Sequence, residues 1–198
     1  MTSWAVGDWP QEQLLSYVAP EHPADREPST AVVDWWTAPP LALTAGACDQ
    51  LVALAETVRA SWSQNGSYHD LDPALEPGLR DALIARVHEA NDQWWRLDID
   101  TWFVEAKRYL AGEEHPPHMD WVPRWSATRK IVGAWQLSSP DAYGGGDVVV
   151  TYGPHRVTVA RDRGTFYALP CWTTHQVDPV TTGERWSLIV NGYGPPLR

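Results

Sequence analysis

The feature that most limits the fold is a change of texture near Asp98. Before it, apolar residues recur at spacings of three and four. After it, short β-branched and aromatic runs alternate with turn signals. Ala47, Cys48, Leu51, Leu54, Ala55 and Val58 form one apolar stripe, which predicts a helix from about Ala45 to Ser61 with Thr44 as its cap. Leu79, Leu83, Ile84, Val87 and Trp94 predict a second helix from about Pro77 to Trp95, with Pro77 well placed at its start. Gln64-Asn65-Gly66-Ser67 reads as the turn between them. Strands are expected over Asp100–Leu110, Lys130–Leu137, Asp147–Tyr152, His155–Ala160, Gly164–Leu169 and Trp186–Tyr193, punctuated by Gly144-Gly145-Gly146 and Gly153-Pro154. Strands this short and this closely spaced suit a sandwich or barrel. The expectation is a mainly β, α+β domain with helical support at 41–98 and a β-core at 99–198. Residues 1–40, broken by Pro20, Pro23, Pro28, Pro39 and Pro40, read as an arm held to the body by Trp9, Trp35 and Trp36.

Composition bounds the partners. The formal net charge is −10, which repels phosphates and anionic lipid, so nucleic acid and membrane are not expected partners. The two cysteines, Cys48 and Cys171, share no metal or disulfide spacing. No apolar run approaches the length of a membrane span, and the first residues lack the pattern of a secretory signal. A cytoplasmic protein, monomeric or homodimeric, is the expectation. Tryptophan is in excess, with 13 Trp against 2 Phe and 7 Tyr. Trp62, Trp102, Trp135, Trp172 and Trp186 are assigned to the core.

The segment richest in chemistry is His115-Pro116-Pro117-His118-Met119-Asp120. On a strand, His118 and Asp120 would face the same side. A His-x-Asp pair is common on ordinary surfaces, and a lone His or Arg is more often structural than functional. The conjunction carries more weight. His175 follows an apolar run, and Arg185 comes ten residues later, followed by Trp186 and Ser187. Two His and one carboxylate on a β-scaffold can make the facial triad of a non-haem Fe(II) site. An Arg one strand further on offers a planar fork for a carboxylate.

At this point the chain resembles the prolyl-4-hydroxylase-like branch of the Fe(II)/2-oxoglutarate-dependent oxygenases. The opening motif reads Tyr109, Gly112, His115, His118, Asp120. It is followed by Arg129, a strand through Gln136-Leu137, and Tyr143-Gly144-Gly145-Gly146. The closing motif reads Gly164 to Pro170, His175-Gln176-Val177, Pro179-Val180, Gly183, Arg185 and Ser187. The resemblance implies a double-stranded β-helix (jelly-roll, cupin-like) core that uses Fe(II), 2-oxoglutarate and O2. It implies His118, Asp120 and His175 as iron ligands, and Arg185, helped by Ser187, as partner of the distal carboxylate of 2-oxoglutarate. Tyr109 and Gln136 fall where the family places cosubstrate contacts, though Gln136 stands where a Tyr is common. His115 replaces the family's usual aromatic, so it either lines the substrate side or competes with His118 as ligand. The intact Asp120 argues against halogenation, because related halogenases have a small residue there.

The resemblance implies hydroxylation of an unactivated C–H, with succinate and CO2 as coproducts. The expected substrate is a free amino acid, a short peptide or a natural-product intermediate. A protein prolyl or other residue is the second choice. A cupin-like metal-binding module without 2-oxoglutarate chemistry is the competing class. Trp121, Arg124 and Trp125, just after Asp120, are candidate substrate contacts.

Overall fold

The computed structural model describes residues 43–63, 65–122, 127–152 and 155–196. Helix α1 (Ala45–Thr57) starts where expected, with the Ala47 N–H donating to Thr44 Oγ1 at 3.2 Å. It stops sooner than its apolar stripe suggests. Val58 is already extended, and the chain turns into a hairpin, β1 (Ala60–Ser63) and β2 (Gly66–Asp70). The segment read as purely helical support therefore also contributes two strands. His69 ties the hairpin to α1, its Nδ1 lying 2.8 Å from the Ala55 carbonyl oxygen. Helix α2 (Pro77–Trp94) is capped by Glu76, whose carboxylate accepts the Leu79 N–H.

The remaining strands are β3 (Thr101–Leu110), β4 (His115–His118), β5 (Arg129–Gln136), β6 (Tyr143–Gly145), β7 (Val148–Tyr152), β8 (His155–Thr158), β9 (Phe166–Pro170), β10 (Thr174–Val177) and β11 (Val180–Tyr193). They form two antiparallel sheets. The larger runs β1-β2-β3-β11-β5-β9, with β6 also on β11; the smaller runs β4-β10-β7-β8. The neighbours in each sheet are mostly non-consecutive in sequence, as in a jelly roll.

Alternation along the strands separates two cores. Val104, Ala106, Ile131, Trp135, Phe166, Ala168, Trp186, Leu188 and Val190 face the helices and pack on Leu51, Ala55, Leu83 and Val87. Tyr109, Val132, Ala134, Tyr167 and Leu169 face the other way, toward Val148, Val150 and Val177 of the smaller sheet. Gly133 lets α2 lie close over β5: a Cβ at that position would sit 2.3 Å from Val87 Cγ2. Gly183 has φ +68 and lies against the Ala142 carbonyl, so β11 bends there and still continues from β6 onto β3. That bend makes β11 longer than the sequence suggests.

The tryptophan assignments divide. Trp135 and Trp186 are 1% and 2% exposed, and Trp102 is half-buried. Trp62 and Trp172, expected in the core, are 65% and 42% exposed. Trp62 sits on the edge strand β1, and Trp172 follows the end of β9, and among the described elements neither lies inside one of the two cores. The arm at 1–40, with Trp9, Trp35 and Trp36, lies outside the described residues. Among the described residues no helix is long and apolar enough to cross a membrane.

Candidate metal centre

The open end between the two sheets holds a cavity of about 230 Å3. His118 closes β4, His175 lies on β10, and the two are register partners in the smaller sheet. Asp120 is not on the strand, as its spacing suggested. It lies in the turn just after β4. There Arg129 Nη1 donates to Asp120 Oδ1 at 3.1 Å, so the carboxylate is oriented by the first residue of β5.

His118, Asp120 and His175 offer ligand atoms that all lie within 4.8 Å of one another. His118 Nε2 is 3.7 Å from Asp120 Oδ1, and His175 Nε2 is 3.9 Å from Asp120 Oδ2. Donors on adjacent positions of a cation, with bonds of ~2.1 Å, stand about 3 Å apart, so small rotations would close this group around a metal. The tautomers suit it as well. Each ring can donate its Nδ1–H to a carbonyl two residues back, His118 to Pro116 at 2.8 Å and His175 to Thr173 at 3.0 Å. That leaves both Nε2 lone pairs directed at the centre. Burial, then the neighbouring His175, lowers the His118 pKa, which favours the neutral, ligating form. The donor set of this chain fits a divalent metal.

His115 stacks on His118 with ring centroids 3.7 Å apart. Its Nδ1 is 3.0 Å from Lys107 Nζ. The ammonium can only donate, so this nitrogen is an acceptor already in use. Geometry therefore separates His115 from His118, which spacing alone did not do.

On the far wall, Arg185 is 1% exposed. Its Nη2 donates to Gln136 Oε1 at 2.7 Å and its Nη1 approaches Ser187 Oγ at 3.4 Å. Its guanidinium lies over the Tyr109 ring at 5.6 Å. Among the described residues no carboxylate forms a salt bridge with it, and Nε lacks a partner. A buried guanidinium held by neutral groups is costly unless something anionic joins it. Gln136, in doubt from the sequence, is thus placed against Arg185. Trp121 donates its backbone N–H to Cys171 O at 2.9 Å and is not among the side chains that line the cavity. Arg124 and Trp125 lie outside the described residues.

Sequence reasoning did not single out Tyr68, Glu105, Lys107 and Asn191, all of which line the cavity. The signal was available: Glu105 and Lys107 share a strand face with Tyr109. Burial lowers the Lys107 pKa to about 7, with Glu105 and Asp120 pulling it back up and Arg185 and Arg129 adding to the fall. Burial likewise lifts the Glu105 carboxyl above its usual range, against the pull of Arg129. The Lys107 shift has a thermodynamic consequence. Between pH 7 and the ordinary lysine range, the unfolded chain binds more protons at this site, so stability rises with pH across that window. Lys107→Met removes the burial penalty. It should raise Tm most below pH 7, with the gain shrinking toward pH 10. Differential scanning calorimetry from pH 6 to pH 10 checks this, and a pH-independent change would count against it.

Comparison with known proteins agrees with this geometry. Residues 104–193 match the model of the 2OG-Fe(II) oxygenase superfamily. Over 93 residues the chain is 34% identical to a PKHD-type hydroxylase of Methylobacterium nodulans, covering 40% of this chain and 38% of that protein. Over 85 residues it is 39% identical to a PKHD-type hydroxylase of Stutzerimonas stutzeri, covering 39% and 37%. The chain thus aligns with less than half the length of these relatives. Its fold is similar to that of a Pseudomonas putida prolyl-4-hydroxylase, with a TM-score of 0.63 at 18% identity over 78% of this chain and 90% of that one. It is also similar to the viral collagen prolyl hydroxylase of Paramecium bursaria Chlorella virus-1 in complex with 2-oxoglutarate, with a TM-score of 0.60 at 18% identity over 77% and 92%. The matched β-core, with its two His and one Asp at the mouth of a jelly roll, is similar over residues 104–193 to the 2OG-Fe(II) oxygenase superfamily, a family that uses Fe(II), 2-oxoglutarate and O2, and its fold is similar to that of the prolyl hydroxylases.

Proposed function

We propose that this chain is an Fe(II)- and 2-oxoglutarate-dependent dioxygenase that hydroxylates an unactivated C–H of a small substrate. One observation supports it above the others: a His-Asp-His donor group faces the same cavity as a buried Arg185 that no carboxylate joins among the described residues. In this reading His118, Asp120 and His175 hold the iron. Arg185 pairs with the distal carboxylate of 2-oxoglutarate, Ser187 and Gln136 fix the guanidinium, and Tyr109 walls the cosubstrate. Bound Fe(II), 2-oxoglutarate and O2 supply the oxidising chemistry, with succinate and CO2 as coproducts. The chain's own part is to position and to keep the site dry. Arg129 orients Asp120, the Pro116 and Thr173 carbonyls orient the imidazoles, and the apolar Val132, Ala134, Val148 and Leu169 exclude water.

The modest cavity supports a free amino acid, a short peptide or a biosynthetic intermediate as substrate. A protein residue is the second reading, supported by the prolyl hydroxylases among the similar folds. Anaerobic titration with Fe(II) and 2-oxoglutarate tests the central claim. The expected result is a weak visible charge-transfer band that needs both components. A cupin-like metal-binding module would take up Fe(II) and give no such band, and that outcome would sink the proposal.

A further inference from the structure

The groove wall carries three charged positions in file. Tyr109 and Arg185 are register partners, as are Lys107 and Ser187, and Glu105 and Ile189. Side chains two apart on one strand stand about 7 Å apart, so Arg185, Lys107 and Glu105 mark successive levels from one end of the cavity toward the other. The cosubstrate reading uses only Arg185. Lys107 and Glu105 are left without a role, although both face the same space.

Among the described residues neither forms a salt bridge, although Lys107 is buried and Glu105 is half-buried with Arg129 near enough to pull on its carboxyl. Lys107 is 2% exposed. Its Nζ donates to Tyr68 OH at 2.6 Å and to His115 Nδ1 at 3.0 Å, between the Tyr68 ring at 4.2 Å and the Tyr109 ring at 4.8 Å. An ammonium has three N–H donors, and these neutral partners use two. Glu105 accepts from Asn191 Nδ2 at 3.1 Å through one carboxylate oxygen. Among the described residues no salt bridge is made by either. The two are close enough in sequence to pair with each other, yet each is turned to a neutral partner instead. Withdrawing opposite charges from water without pairing them, Lys107 fully and Glu105 in part, is unfavourable unless a ligand brings the missing partners.

We infer that Lys107 and Glu105 are the substrate-reading residues of this pocket and that the substrate is a free α-amino acid. The substrate carboxylate is taken by the third N–H of Lys107 and by the Tyr68 hydroxyl, which accepts from Lys107 and keeps its own proton to donate. The substrate ammonium is taken by the free oxygen of Glu105. His115, stacked on His118 and held by Lys107, links this subsite to the metal group. A zwitterion neutralises both stations at once. A residue inside a protein chain has neither end group to offer, so the subsite selects against peptide-internal positions. This inference rests on the oxygenase reading proposed above.

The test uses the full chain with Fe(II) and 2-oxoglutarate under anaerobic conditions. The probes are the free L-amino acids, each beside its α-amide and its N-acetyl derivative. Perturbation of the visible band reports binding, and succinate formation in air reports turnover. The expected result is that at least one free amino acid perturbs the band, while its amide and its N-acetyl form bind roughly 30-fold more weakly or worse. In Lys107→Met the acid and the amide should bind within threefold of each other. Glu105→Gln should instead erase the preference over the N-acetyl form. If Lys107→Met is not soluble, Lys107→Gln takes its place, and the acid-to-amide ratio in the unmodified protein needs no variant. A band that no free amino acid perturbs overturns the inference. So does an unmodified protein that binds acid and amide alike, or a Lys107→Met protein that keeps the preference. Should Lys107→Met shift the 2-oxoglutarate requirement and leave substrate preference intact, Lys107 belongs to the cosubstrate and the assignment fails. Absence of any band in the unmodified protein defeats the oxygenase reading itself, and this inference with it.

Discussion

Arg185→Met should raise the 2-oxoglutarate concentration needed for half-maximal succinate formation by roughly 100-fold, while the Fe(II) requirement changes less than about threefold. The asymmetry follows from position. Arg185 is on β11, against Gln136 and Ser187, and makes no hydrogen bond with His118, Asp120 or His175. Its loss leaves a substrate carboxylate facing a dry wall with no positive charge, which is where truncating one member of a buried charge pair is most damaging. Methionine keeps most of the side-chain volume, so the Tyr109 ring retains a neighbour. Folding should survive the change, because no carboxylate is orphaned by it among the described residues. Kinetics at saturating Fe(II) with varied 2-oxoglutarate, then the reverse, separate the two requirements. Equal loss in both would make Arg185 a structural residue.

Much of this site was legible in the sequence, and what was missed has identifiable causes. Order and spacing single out His118, Asp120, His175 and Arg185, the resemblance adds Ser187, and the fold brings all five to one cavity. Asp120 reaches the site from a turn, however, and not from the expected strand position. Strand alternation does not carry it, because β4 ends at His118. Strand β4 itself was overlooked, since Pro116 and Pro117 argue against a strand. They are tolerated because β4 is an edge strand among the described strands of the smaller sheet, and its pairing with β10 is irregular between His115 and His118, where the two prolines stand. Helix α1 ends sooner than its apolar stripe predicts. The apolar stripe runs on through Val58, but the extended backbone there begins a hairpin whose pairing with β3 is a long-range fact. Strand β11 begins at Val180, ahead of the Trp186 start expected from the sequence, and Gly183 carries the strand through a positive φ. Lys107 and Glu105 passed unnoticed for a different reason. Their residue types on a strand suggest solvent, although alternation puts them on the face of Tyr109, and the register of Tyr109 with Arg185 shows that this face points inward.

The second large effect belongs to Asp120. Asp120→Ala should weaken Fe(II) binding by more than 100-fold and take succinate formation below detection. Arg129→Met should cost about ten- to hundred-fold, the range for a group that only orients a ligand. The ranking comes from what each removes. Asp120 is the only carboxylate in the candidate metal group, and it faces Nε2 of both His118 and His175. Without it, two neutral imidazoles remain, and no anionic donor offsets the charge of the metal. Arg129 touches the group only through Asp120 Oδ1, its other end resting on the Tyr193 hydroxyl at 3.1 Å. Its loss removes one hydrogen bond that orients the carboxylate but leaves the donor in place. Anaerobic calorimetric titration with Fe(II) measures both variants without turnover. A structural role for Asp120 predicts the opposite order. Asp120→Ala would then strand the partly buried Arg129 guanidinium and lower Tm sharply, with metal binding falling only in proportion to the folded fraction. Recording Tm beside each titration distinguishes the two: the metal-ligand reading requires a folded Asp120→Ala protein that no longer binds Fe(II).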